Sequence, residues 1–279
     1  ILGLKGLLKT AMEKGDYRYA RVLIEQTITK TPNQPWILNA QYGLELKTNH
    51  YDQALVILEK LRKNDAVSKA DYMKDKSILL MLGDKIEKAY KLDSQSLPIT
   101  LNYLKKLSDN NKRRKSLNVI KRQWMFNPHS RLLDYWIKYA PKKSIADPMK
   151  MAAWIEDLHH VNSDPASSSL YCAEALMRLN QKDQAQRFVK EAMTKHPTTR
   201  TYQMMHQIDP NGEWLEQIQN AKTDMAWVCA QSRTIYDEWQ PVTDFGDFNT
   251  VTWAYPDQVK NKAVANQNNG LIDFIQSAV

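Results

Sequence analysis

Apolar residues near the start of the chain return every three to four positions, and the pattern they make occurs twice. Residues 3–32 read GLKGLLKTAMEKGDYRYARVLIEQTITKTP, and residues 35–64 read PWILNAQYGLELKTNHYDQALVILEKLRKN. A shift of 34 residues brings Tyr17 onto Tyr51, Ala20 onto Ala54, Ile24 onto Leu58 and Thr27 onto Leu61. A helical period within each copy, and a fixed period between copies, predict a stack of two-helix hairpins of tetratricopeptide type. Ala20 and Ala54 are expected where the two helices cross closest. Ile24 and Leu58 are expected to fill the space toward the next hairpin. One hairpin cannot bury its own apolar face, so neighbours must stack. Gly15-Asp16 and Asn49-His50 are expected to end the first helix of each copy, where tolerance of positive φ is useful. Pro32 is expected to stop the second helix.

The pattern continues in weaker form. A further pair is predicted over 66–93, with Gly83-Asp84 repeating the turn and Lys88 on the small-residue position, one place before Ala89. Pro98 opens a helix to about Ser108, and Asp109-Asn110-Asn111 turn. Ser116, Ile120 and Pro128 repeat the Ala20, Ile24 and Pro32 positions. Helices are predicted over 130–139 and 147–160 with Pro141 between them. Asp164-Pro165 reads as a cap with proline at the first helical position, opening a helix over 166–179. Ala185, Val189, Ala192 and Pro197 then repeat the pattern, and a last helix over 198–208 closes the stack. After 210 a short helix at 213–222 gives way to MAWVCAQSRTIYDEWQPVTDFGDFNTVTW, which reads as short strands with turns near Asp237 and Gly246. The polar end, 254–279, is expected to be weakly ordered, with a short helix at Leu271–Ile275.

The expected class is therefore all-α: a tetratricopeptide-like solenoid over 1–210, a small aromatic-rich and partly β module over 211–253, and a polar tail. Only 8 of the 279 residues are Gly, which suits helices better than phosphate-binding loops. The net charge of +8 favours anionic surroundings without choosing among them. Two distant cysteines, Cys172 and Cys229, exclude a disulfide framework. No apolar run is long enough to cross a bilayer. The start at Ile1, within a helical pattern, is read as a fragment whose preceding part holds a membrane anchor.

No H-E-x-x-H, G-x-G-x-x-G, G-x-S-x-G or Walker A pattern occurs, so no catalytic residue, metal site or cofactor is assigned. His159 and His160 are adjacent, and neighbouring helical residues point about 100° apart, which ill suits a shared metal. Cys229, His129, His206 and Met205 have side chains that ligate iron, and none is marked out for it. The best functional surface is the concave face of the first helices, where Lys5, Lys9, Asn39, Gly43, Asn102 and Lys105 are expected to meet a peptide backbone or carboxylate. A second candidate is the basic cluster Lys112, Arg113, Arg114, Lys115, Lys121 and Arg122, suited to anionic lipid headgroups. With Trp124 and Phe126 as its only nearby aromatics, it does not read as a nucleic-acid surface.

The order of motifs resembles the HemY-like proteins of Gram-negative inner membranes. The residues that carry the resemblance are GLKGLL at 3–8, GDYRYA at 15–20, PW at 35–36, W-x-x-x-P-H at 124–129, WVC at 227–229, WQPV at 239–242 and FGDFNTVTW at 245–253. The resemblance implies a membrane-anchored helical-repeat scaffold associated with haem or tetrapyrrole biosynthesis, with haem-pathway enzymes among its partners. It does not imply the flavin-dependent protoporphyrinogen oxidase of the same name, whose dinucleotide fingerprint is missing. Some relatives carry paired C-x-x-C elements in the tail. Here Ser232 stands in the partner place of Cys229, and 243–246 replace the second pair. A structural zinc needs four ligands, so an aromatic cluster of Trp227, Trp239, Phe248 and Trp253 is expected instead. The expected function is a non-catalytic protein-binding scaffold of the inner membrane, its soluble region on the cytoplasmic side. The alternatives are a haem or porphyrin carrier and a general envelope adaptor.

Overall fold

The computed structural model describes residues 2–31, 34–162, 165–244 and 246–259. Pro32, Asp164 and the expected helix at Leu271–Ile275 lie outside the described residues. Fifteen α-helices and a three-stranded sheet are present among them. Contacts divide the chain into two units that are not continuous in sequence and do not follow boundaries at 210 and 253. The first takes 1–93 with 226–254, and the second takes 94–225 with 255–257.

In the first unit the helices are α1 (Leu2–Glu13), α2 (Tyr17–Lys30), α3 (Pro35–Lys47), α4 (Tyr51–Lys63), α5 (Lys69–Leu82) and α6 (Ile86–Leu92). Each packs on its successor, α1 on α2 through to α5 on α6. The small-residue positions behave as expected: Ala20, Ala54 and Ala89 have no exposed surface. Ala89, not Lys88, takes the crossing in the third hairpin, because the turn before it has slipped by one residue. Positive φ falls on Gly15 (71°), Asn49 (60°) and then Asp84 (59°), while Gly83 stays at φ −87°. The three turns share one hydrogen-bond pattern. The N–H after the positive-φ residue returns five residues, as from Asp16 to Ala11 O (2.9 Å), His50 to Glu45 O (2.8 Å) and Lys85 to Leu80 O (2.8 Å). This is the Schellman closure, which satisfies carbonyls the helix leaves orphaned.

The rest of the first unit is a ribbon of β1 (Ala226–Cys229), β2 (Ile235–Tyr236) and β3 (Val251–Ala254), ordered β2-β1-β3 and antiparallel throughout. The β1–β2 turn lies at 230–234, with Arg233 at φ 61°, and not near Asp237. The hydrogen bonds from Cys229 N to Thr234 O and from Arg233 N to Cys229 O (both 2.9 Å) close it earlier than composition indicates. The turn near Gly246 (φ 90°) is present.

In the second unit the helices are α7 (Leu97–Asp109), α8 (Arg113–Phe126), α9 (Ser130–Lys138), α10 (Lys142–Ile145), α11 (Pro148–His159), α12 (Pro165–Arg178), α13 (Lys182–Lys195), α14 (Thr199–Ile208) and α15 (Trp214–Asn220). The short α10 is absent from the sequence pattern. Pro141 ends one helix and caps the next, a change too local for apolar periodicity to register. Asn111 (φ 53°) and Asn180 (φ 59°) make the same Schellman turn. Ser116, Ile120, Ala185 and Val189 are fully buried, in line with their repeat positions. α14 opens on a capping box between Thr198 and Thr201. The Asp224 carboxylate accepts from the Thr198 hydroxyl and from the Arg200 N–H (3.0 Å), holding 222–225 against that helix start.

Candidate functional site

The expected groove residues fall into two sets. Lys5, Lys9, Asn39 and Gly43 belong to the first unit, and Asn102 and Lys105 to the second. Lys5 places Nζ 5.4 Å from the Trp36 ring centroid, a cation–π contact. Lys9 and Asn39 are half-buried, and Gly43 is buried, so it offers no surface. Asn102 is exposed and donates to the Pro98 carbonyl of its own helix (3.0 Å). Lys105 is exposed.

The first-helix face of the first unit is already engaged at two places by the chain's own ribbon. Phe248 stands edge-on to Tyr42 of α3, with centroids 6.1 Å apart at 84°. Val242 and Phe248 pack against the core that holds Leu38, Leu46, Leu58, Leu61 and Leu79. One residue further on, Asn249 (φ 56°) donates from Nδ2 to the Asp75 carboxylate of α5 (3.0 Å). The Asn249 backbone is fixed by its N–H to the Pro241 carbonyl (2.8 Å). Burial pushes the Asp75 carboxyl up to about 7 against the opposing help of Asn249, and Asp71 adds like charge. The Tyr42 hydroxyl is buried beside it without a well-aligned hydrogen bond. Burial and the adjacent carboxyl raise its pKa well above the tyrosine range. Periodicity carries no sign of this contact, since 42, 75, 248 and 249 belong to different elements. The apolar–Asn dipeptide Phe248-Asn249 in a turn was the one available signal.

This contact also decides the aromatic residues of the ribbon. Trp227 and Trp253 pair across β1 and β3 at 5.2 Å, as the antiparallel register requires. Phe248 leaves that cluster for Tyr42. Cys229 is fully buried at the end of β1. Its sulfur accepts from the Gln231 and Ser232 N–H groups (3.4 Å each) and contacts the Thr250 hydroxyl (3.4 Å). Burial raises the thiol, but these hydrogen bonds outweigh it and hold the pKa below the usual value. In the second turn a hydroxyl is the acceptor: Thr243 Oγ1 accepts from the Asp247 N–H (3.0 Å). Among the described residues no group of three or more His, Cys, Asp or Glu side chains could hold a metal ion.

All six residues of the basic cluster are exposed, and three of them also have partners. Arg113 is committed to the Tyr139 carbonyl through Nε (3.0 Å) and Nη2 (2.6 Å). Lys115 lies over the Tyr103 ring (5.2 Å), and Lys121 over the Trp136 ring (5.4 Å). Lys112, Arg114 and Arg122 are exposed. The histidines His129 and His159 have structural partners. His129 caps α9 by accepting the Arg131 N–H (3.1 Å), and burial, with Arg131 and Arg200 nearby, lowers it to about 4, so its ring is neutral at pH 7. His159 shares a contact with Ser168 (3.0 Å), faces Glu191 (3.4 Å) and stands edge-on to Phe188. No family model matches this chain, and no curated protein matches its sequence significantly.

Proposed function

We propose that the chain is a non-catalytic protein-interaction scaffold built from tetratricopeptide-like hairpins, of the HemY-like kind, anchored at a bacterial inner membrane and serving haem or tetrapyrrole biosynthesis. The observation that carries the reading is the seat that the first helices offer to Phe248 and Asn249. An apolar wall, an aromatic edge and a buried carboxyl there hold a turn of polypeptide by one ring contact and one side-chain hydrogen bond. A face that holds one aromatic–amide turn of polypeptide has the chemistry to recognise another segment. Lys5, Lys9 and Asn39, on α1 and α3 beyond the seat, supply charge and amide groups for the partner's backbone or carboxylate. The membrane and haem associations rest on the sequence resemblance.

The test is affinity capture from membranes of the source organism, with the wild-type chain and the Lys9→Ala/Asn39→Ala double variant as baits. Haem-pathway enzymes recovered by the wild type and lost by the variant support the proposal. An identical set recovered by both baits, or a set without haem-pathway proteins, overturns the groove or the pathway respectively.

A further inference from the structure

A second site lies wholly within the second unit, and it does not depend on the scaffold reading. Helix α8 turns Arg114, Leu117, Asn118 and Lys121 to one side, since spacings of three, four and seven share a helix face. Opposite them stand Trp136 of α9 and Trp154 of α11, and Asp157 of α11 closes the rim. Together they line a cavity of about 430 Å³. Its wall is unusually well set. The two indoles stack at 4.4 Å and 11°, and each donates its N–H to the other residue's carbonyl, at 2.7 and 2.9 Å. Both indole donors are thereby used inside the wall; Trp136 is itself buried, and the half-buried Trp154 ring gives the cavity its accessible indole surface.

The polar side chains around it are idle. Arg114, Asn118 and Asp157 form no side-chain hydrogen bond or ion pair among the described residues, and Lys121 has only the Trp136 ring beneath it. A guanidinium and an ammonium about two turns apart on one helix attract an anion. Asp157 opposite leaves a formal surplus of one positive charge. That balance suits a single carboxylate and disfavours a phosphate dianion, whose second charge would meet Asp157. Asn118 can donate to and accept from an amide, Asp157 can accept an N–H, and Leu117 with Trp154 can take an apolar side group.

The geometry points to a binding site for an N-acylated amino-acid carboxylate with an apolar side chain, the chemistry shared by a peptide's free C-terminal residue and a free N-acyl amino acid. The carboxylate sits between Arg114 and Lys121, the N–H faces Asp157, and the side chain rests on Leu117 and Trp154.

The experiment follows the indole N–H signals of Trp136 and Trp154 by 1H–15N NMR, assigned with single Trp→Phe variants. N-acetyl-L-leucine and a leucine-ending pentapeptide are titrated into the whole chain, each beside its C-terminal amide. Saturable shifts with the acids and none with the amides are expected. Arg114→Gln and Lys121→Gln should each weaken binding roughly tenfold, the range for loss of one charge-assisted hydrogen bond. Both positions are exposed, and an unchanged helical circular-dichroism spectrum verifies folding. Tighter binding of the pentapeptide assigns the site to chain ends, and equal binding assigns it to the free N-acyl amino acid. Equal shifts from acid and amide, no shift with either acid, or unweakened binding by both variants would overturn the inference.

Discussion

Asp75 is a carboxyl whose ionisation the fold opposes. Its carboxyl is pushed from 3.8 up to about 7, chiefly by burial. An Asp75→Asn substitution removes the ionisation and retains an oxygen for Asn249. The sign follows from proton counting. Between about pH 4 and 7 the unfolded chain has released the proton and the folded chain still holds it. Stability therefore falls as pH rises through that window and levels off above it. Holding the carboxyl at about 7 instead of 3.8 costs the folded chain at most about 4 kcal/mol above that window. The residue keeps some accessible surface, and solvent relaxation brings the expected figure nearer about 2 kcal/mol. The assay is urea unfolding at pH 5 and pH 8, with a 13C carboxyl titration of Asp75 in the folded chain. The variant should already exceed the wild type by about 1–2 kcal/mol at pH 5 and by about 2–4 kcal/mol at pH 8. A titration midpoint near 4, or a variant effect that is the same at both pH values, would refute the account of Asp75 as a carboxyl desolvated beneath the ribbon.

Further outcomes follow from the same contacts. Glu45, almost wholly buried, is raised by burial but held below its ordinary range by Arg21 (2.6 and 3.0 Å) and His50 (2.9 Å). Its contribution is complete above the unfolded carboxylate pKa and is lost as pH falls through the lower folded value. Glu45→Gln should cost about 2 kcal/mol at pH 7 and less in acid, by urea unfolding at both pH values. Phe248→Ala should cost about 1–3 kcal/mol and speed proteolytic cleavage within 226–254, since it frees the ribbon from Tyr42. Ala54→Leu, at a crossing with no exposed surface, should lower stability by about 1–3 kcal/mol through overpacking, read by urea unfolding. Trp136→Phe should lower the stability of the second unit by about 1 kcal/mol in thermal unfolding, because the indole hydrogen bond to the Trp154 carbonyl is lost.

The hairpins were legible because their information is local. A helix crossing needs a small residue at a set distance from a turn, and a Schellman turn needs Gly, Asn or Asp at positive φ. The sequence by itself thus determined the crossings at Ala20, Ala54, Ser116 and Ala185 and most of the helix ends. It erred where a single backbone angle mattered, as at Asp84 in place of Gly83 and at the turn of 230–234. The sites depended on tertiary structure. Asn249 meets Asp75, and Phe248 meets Tyr42, across more than 170 residues, and no periodicity links them. The basic run 112–122 is uniform on paper, but folding ties Arg113 to a carbonyl, lays Lys115 and Lys121 on aromatic rings, and leaves Arg114 idle beside a tryptophan wall. Charge is written in the sequence, whereas which charge is already satisfied depends on neighbours that only packing supplies.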